Sequence, residues 1–129
     1  MAIELRILAY GALLLLVHVF AAAQAKTAQY GPKWNMGARD EDLPALNKVA
    51  GRLVRAQENY KETLPIAIIA LGGVVIAGRT SEWTAIGGWV WLGARLVYLP
   101  LYGFGVPVVR TLCFMVSLVG LGMAIWPLL

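Results

Sequence analysis

The sequence predicts an all-α integral membrane protein, a bundle of four spanning helices, and three observations carry that prediction. Hydrophobic residues make up 60% of the 129-residue chain and charged residues 14%. Mean hydropathy is +0.70, far above that of an ordinary soluble domain. Low-charge runs cover Ile7 to Ala25, Leu64 to Ala77 and Trp83 to Leu129. A spanning helix needs about 20 residues, so the long C-terminal run holds two helices. The chain, 1–129, reads as a single transmembrane domain.

The first helix is expected over 3–25. Its run from Ile7 to Phe20, followed by Ala23-Gln24-Ala25, also fits a secretory signal, but the segment before it is poorly basic, with Arg6 offset by Glu4. The helix is therefore read as retained. His18, in its middle, is expected to be a buried, neutral, hydrogen-bonded side chain. The loop KTAQYGPKWNMGARDEDLP has the Gly, Pro and Asn of irregular structure. Asp42 is the expected cap of a second helix over 43–77, with Pro44 in its first turn. That helix would be roughly 50 Å long against a hydrocarbon layer of ~30 Å, so its N-terminal part should project into water. Pro65 should bend it.

Ser81 is the expected cap of a third helix over 83–102, and a turn from Gly103 to Pro107 leads to a fourth over 108–126. Trp83, Trp89, Trp91 and Trp126 suit an interfacial belt, with Trp89 and Trp91 equally suited to packing. The pairs Gly73 with Ala77 and Gly120 with Ala124 would allow close helix approach. Cys113 is the single cysteine, which excludes an intrachain disulfide and a cysteine metal framework, so no metal is expected. Its place on an apolar helix suits a small packing residue.

The net charge of +4 is spread mainly between Lys26 and Lys61, without a tract suited to nucleic acid. It speaks instead about orientation. Lys26, Lys33, Arg39 and Lys48 flank the first loop, with Arg52 and Arg55 beyond it, while the opposite side offers Arg6 and Arg79. Both the first and the third loops should face the cytoplasm, with the two termini outside.

Helix periodicity selects a polar face. Lys48, Arg52, Arg55, Asn59 and Glu62 project within an arc of about 80°, whereas Gln57, Glu58 and Lys61 point elsewhere. The apolar half of that helix covers only ~21 Å, so Asn59 and Glu62 fall inside the membrane boundary and must face protein or a water-filled cavity. Arg95, Tyr98 and Tyr102 share a face of the third helix at the same end, where Arg110 begins the fourth. Convergence of these groups gives a cationic pocket with one carboxylate, one amide and two phenols. A structural network, such as Glu62 paired with Arg55 or Arg95, accounts for any one residue. The set carries surplus positive charge and so invites an anionic ligand. A small zwitterionic peptide with terminal carboxylates and a reactive thiol would suit it, an arginine beside the thiol favouring the thiolate.

The stretch RAQENYKETLP resembles the second-helix motif of the membrane-associated proteins in eicosanoid and glutathione metabolism, the MAPEG family, through Arg55, Ala56, Gln57, Asn59, Glu62, Leu64 and Pro65. Arg95, Tyr98 and Tyr102 match its third-helix pattern, and WNMGARDE is similar to the loop of bacterial members. The resemblance implies a homotrimer of four-helix subunits with glutathione held between them near the cytoplasmic side. It implies glutathione contacts from Arg55, Gln57, Asn59, Glu62, Tyr98 and Tyr102. Arg95 joins that set on the residue reading. Arg110 is the match to the arginine that holds the thiolate, one residue off the usual spacing, with Tyr98 or Tyr102 donating a hydrogen bond. Thr63 stands where several members have Tyr.

The expected function is therefore a glutathione-dependent transferase or peroxidase acting on lipophilic electrophiles or lipid hydroperoxides drawn from the bilayer. A bacterial inner membrane is the expected location. Alternatives are a non-catalytic binding or scaffold protein of the same fold, or a small multidrug exporter. The exporter would need an acid deep in the first helix, where only Glu4 is offered, at its start.

Overall fold

The computed structural model describes residues 1–129 and is all-helical. Five helices follow in order: α1 (Ile3–Tyr30), α2 (Pro32–Met36), α3 (Lys48–Ile76), α4 (Glu82–Gly103) and α5 (Pro107–Ile125), the last running into a 3-10 turn at Trp126–Leu128. Three stretches, Ile3–Tyr30, Lys48–Ile76 and Pro107–Leu128, are long and apolar enough to cross a membrane. α4, with 22 residues, has the length, roughly 33 Å. Its arginine, glycines and aromatic residues lower its hydropathy, so three apolar helices stand where four were expected.

The first loop is more ordered than its composition suggests. α1 continues five residues past the expected end at Ala25, because no breaker intervenes before Gly31, whose φ of 98° stops the helix. Pro32 then opens the short α2, a helical turn within the segment whose Gly, Pro and Asn predict irregular structure. α3 starts at Lys48 and not at residue 43: Asn47, not Asp42, is its cap, accepting from the Ala50 amide at 2.9 Å. The reason lies in α1. Gln29 donates to the Ala45 carbonyl at 2.9 Å and accepts from the Asn47 amide at 2.7 Å, while the Tyr30 hydroxyl donates to the Pro44 carbonyl at 2.5 Å. These bonds hold residues 44–47 extended across the end of α1, and Pro44 disfavours helix at Leu43 before it.

Pro65 lies inside α3, and a wider π turn at Ile68–Gly72 follows it. Ser81 caps α4 through a reciprocal box with Thr84. The Thr84 hydroxyl also donates to the buried Glu4 carboxylate at 2.6 Å, joining the starts of α1 and α4 at one end of the bundle. α4 and α5 pack most extensively on one another. A Cβ at Gly87 would lie 2.6 Å from the Gly120 carbonyl oxygen and one at Gly120 2.5 Å from that of Gly87, so glycine at both positions permits the contact. Ala124 is buried on the same seam, whereas Gly73 meets the Leu128 side chain and Ala77 is exposed, so that pair forms no helix seam.

The core gathers Ile7, Leu14, Tyr60, Leu71, Trp91 and Leu121. Trp91 is fully buried, while Trp83, Trp89 and Trp126 are exposed, as a belt requires. At the centre, Tyr60 donates its hydroxyl to the Gly11 carbonyl at 2.5 Å and stacks on the fully buried His18, their centroids 4.8 Å apart. His18 is buried as expected, but neither ring nitrogen has a hydrogen-bond partner. The Tyr60 hydroxyl is committed to Gly11, so stacking holds the imidazole instead. Cys113 donates its thiol to the Ala94 carbonyl at 2.9 Å and bridges α5 to α4.

Candidate functional site

The end of the bundle where α3 begins, α4 stops and α5 starts is built by a tight turn. The Phe104, Gly105 and Val106 amides bond back to the Pro100, Tyr102 and Leu101 carbonyls, and Gly105 adopts a φ of 74°. That left-handed conformation suits glycine. Pro107, which needs no amide partner, begins α5 directly after it. Arg52 of α3 lies against the bare backbone of Gly105; a Cβ there would sit 2.7 Å from the guanidinium carbon.

Around this turn opens a polar cavity of about 280 Å³ lined by Arg52, Arg55, Tyr102, Gly105, Pro107 and Arg110. The Arg55 Nε donates to the Tyr102 hydroxyl at 3.3 Å, and the Arg110 guanidinium lies 4.5 Å above the Tyr102 ring. Tyr102 is thus fixed by two cations: its oxygen accepts from one and its ring faces the other. Its own O–H is left free to donate. The cavity wall has three guanidinium groups and no carboxylate, so it attracts anions and offers them forked donors.

A second layer lies behind the cavity. Arg95 is 0% exposed and Tyr98 2% exposed. The Arg95 guanidinium donates from Nη1 to the Asn59 Oδ1 at 2.7 Å. Its carbon lies 4.2 Å from the Tyr98 ring, 5.3 Å from Tyr60 and 5.6 Å from Phe114. Tyr98 meets Tyr102 edge to face, with centroids 5.6 Å apart.

Of the residues selected from sequence, Arg55, Tyr102 and Arg110 come together on the cavity wall. Arg95 and Tyr98 sit beneath it, and Asn59, half-buried, bonds to Arg95 in that second layer. Glu62 stands apart: it is exposed and makes neither of the ion pairs expected with Arg55 or Arg95. The chain's one salt bridge joins Lys61 to Glu58 at 3.3 Å, both well exposed. Gln57 is half-buried on another arc of α3 and its side chain bonds to nothing. Thr63 turns its hydroxyl to the Tyr60 carbonyl of its own helix at 3.3 Å.

Arg52 and Gly105 were missed as site residues. Arg52 was visible as a member of the polar arc, and the signal that could have placed it was the glycine of the facing turn. Tyr60 was also missed; its role is to support Arg95 and His18 from below.

On the opposite flank of α4, an entirely hydrophobic groove of about 480 Å³ lies against α1, lined by residues including Tyr10, Leu14, Val17, Trp89, Leu96 and Leu99.

The model of the MAPEG family matches residues 7–129, nearly the whole chain. No curated protein and no solved structure matches the chain.

Proposed function

The chain belongs to the MAPEG family, and from that premise we propose that it is a membrane-bound glutathione-dependent transferase or peroxidase. Its substrates are lipophilic electrophiles or lipid hydroperoxides that reach it from the bilayer. The observation that carries the reading is the cavity in which Arg52, Arg55 and Arg110 surround Tyr102 without a carboxylate. Glutathione is an anion with two carboxylates and a thiol, and arginine forks recognise carboxylates bidentately. In this reading Arg55 binds a carboxylate and Asn59 and Tyr102 hydrogen-bond the peptide. Arg110 holds the thiolate, whose parent thiol otherwise has a pKa of about 8.5. The thiol proton leaves to water and the thiolate sulfur attacks the electrophilic carbon, forming a C–S bond as the leaving group departs. With a hydroperoxide it attacks the outer oxygen, the O–O bond breaks, the alkoxide takes a proton, and a second glutathione reduces the sulfenic acid to disulfide.

The protein works as a homotrimer in which α4 completes four spans per subunit. The exposure of Glu62, a carboxylate at the edge of the lipid-compatible half of α3, supports an interface there. Glu62 takes the glutathione ammonium, and Gln57 contributes a further polar contact from a neighbouring arc of α3. Tyr98 acts from the layer below, through Tyr102. The excess of Lys and Arg near the α1–α3 connection and the start of α5 supports a cytoplasmic site with both termini outside, in a bacterial inner membrane.

The test is glutathione binding and conjugation by the detergent-solubilised protein. Arg55→Ala should weaken binding, and Arg110→Ala should lower turnover by at least about tenfold more than it weakens binding. Unchanged binding and turnover in both variants would remove the site assignment. A second reading, a non-catalytic glutathione-binding protein, is favoured by Thr63, whose hydroxyl bonds within its own helix. It predicts binding without thiolate formation.

A further inference from the structure

Arg95 is a cation enclosed inside a single protomer with no acidic partner, an arrangement costly in membrane unless it does something a packed apolar residue would not. Its surroundings show what holds it: the faces of Tyr98, Tyr60 and Phe114, and one hydrogen bond at 2.7 Å to Asn59. The Nε and Nη2 donors have no partner beyond those rings. A guanidinium has only donors, so the Asn59 atom facing it has to be the oxygen. The carboxamide nitrogen then points the other way. Asn59 is half-buried, and its Nδ2 is neither bonded within the protomer nor sealed from the surface. It lies on the α3 face that carries Arg52 and Arg55, one turn deeper.

We infer that Arg95 is a positioning residue that locks Asn59 with its amine outward, so that this position donates to a carbonyl or carboxylate oxygen and rejects a ligand N–H. The inference rests on the glutathione reading and narrows it: the peptide lies with an acceptor oxygen against α3 at Asn59. The fork geometry of Arg95 is used inside the protein, and its charge adds to the attraction that Arg52, Arg55 and Arg110 exert on an anion.

Two measurements on the full chain in detergent decide it: calorimetric titration with glutathione, and the thermal midpoint without ligand. Asn59→Asp keeps the shape and pairs more strongly with Arg95, so its midpoint should equal or exceed that of the unaltered protein. It now presents an oxygen outward, and glutathione should bind at least about tenfold more weakly. Arg95→Lys keeps a donor for the Asn59 oxygen and should bind close to normally, whereas Arg95→Gln lets either end of the amide face inward and should weaken binding. In turnover, Asn59→Asp should raise KM for glutathione while kcat holds, because the proposed reading gives the thiolate to Arg110 and not to Asn59. A purely structural pairing would leave affinity tracking the midpoint. Unchanged affinity in Asn59→Asp, a lowered midpoint in that variant, or equal loss in Arg95→Lys and Arg95→Gln would overturn the inference while leaving the glutathione reading intact. Failure of the unaltered protein to bind glutathione is a different result, and it removes both.

Discussion

Gly105 is the residue on which the shape of the arginine cavity depends most directly. Its φ of 74° strains any side chain, and the guanidinium lying on its backbone would have to move to admit one. Gly105→Ala should therefore cost about 1 kcal/mol or more in thermal or denaturant unfolding and weaken anion binding, because the new methyl displaces Arg52. A variant as stable and as tightly binding as the original would show that Arg52 does not rest there. His18 gives the converse prediction. Since neither ring nitrogen has a partner and the ring is held by stacking on Tyr60, His18→Phe keeps the stack and removes two buried polar atoms. It should match or exceed the original in thermal stability, while a marked loss would mean that the imidazole is hydrogen-bonded after all. At this scale the sequence was informative about residue type and poor about layer. Arg55, Tyr102 and Arg110 could be placed at one end by counting helix turns, but counting could not separate Tyr102, which lines the cavity, from Tyr98, which is buried behind it. The two differ by about 40° on the helix, and only the position of α5 decides which one is covered.

Asp42 and Asn47 are both competent caps for α3, and local preference favoured Asp42 because Pro44 follows it. Gln29 and Tyr30, at the end of α1, settle the choice by bonding the Pro44, Ala45 and Asn47 backbone. Asn47→Ala should thus destabilise the protein by about 1 kcal/mol, with Asp42→Ala nearly neutral. Equal effects, read by thermal unfolding, would contradict the assignment. The close contact of α4 with α5 was half legible. Gly120 stood out through its spacing to Ala124, but its partner Gly87 could be recognised only once the crossing point was known. Hydropathy, too, reads α4 differently from its length: Arg95 is buried among aromatic rings with one hydrogen bond to Asn59, a placement that mean hydropathy does not register.

For the whole molecule, the protomer explains the cavity but leaves Glu62 on the outside and Arg52, Arg55 and Arg110 with no counterion. The trimer proposed above, with glutathione between subunits, would account for both at once. In the proposed complex the anion would neutralise the arginines and its ammonium would meet Glu62. Titration of glutathione into the solubilised protein, followed by the ultraviolet absorbance of the thiolate, reads out whether the proposed site holds the peptide as a thiolate. A saturable thiolate signal should appear near neutral pH and disappear in Arg110→Ala. Saturable binding with no thiolate signal, or a signal unchanged by Arg110→Ala, would contradict the proposal.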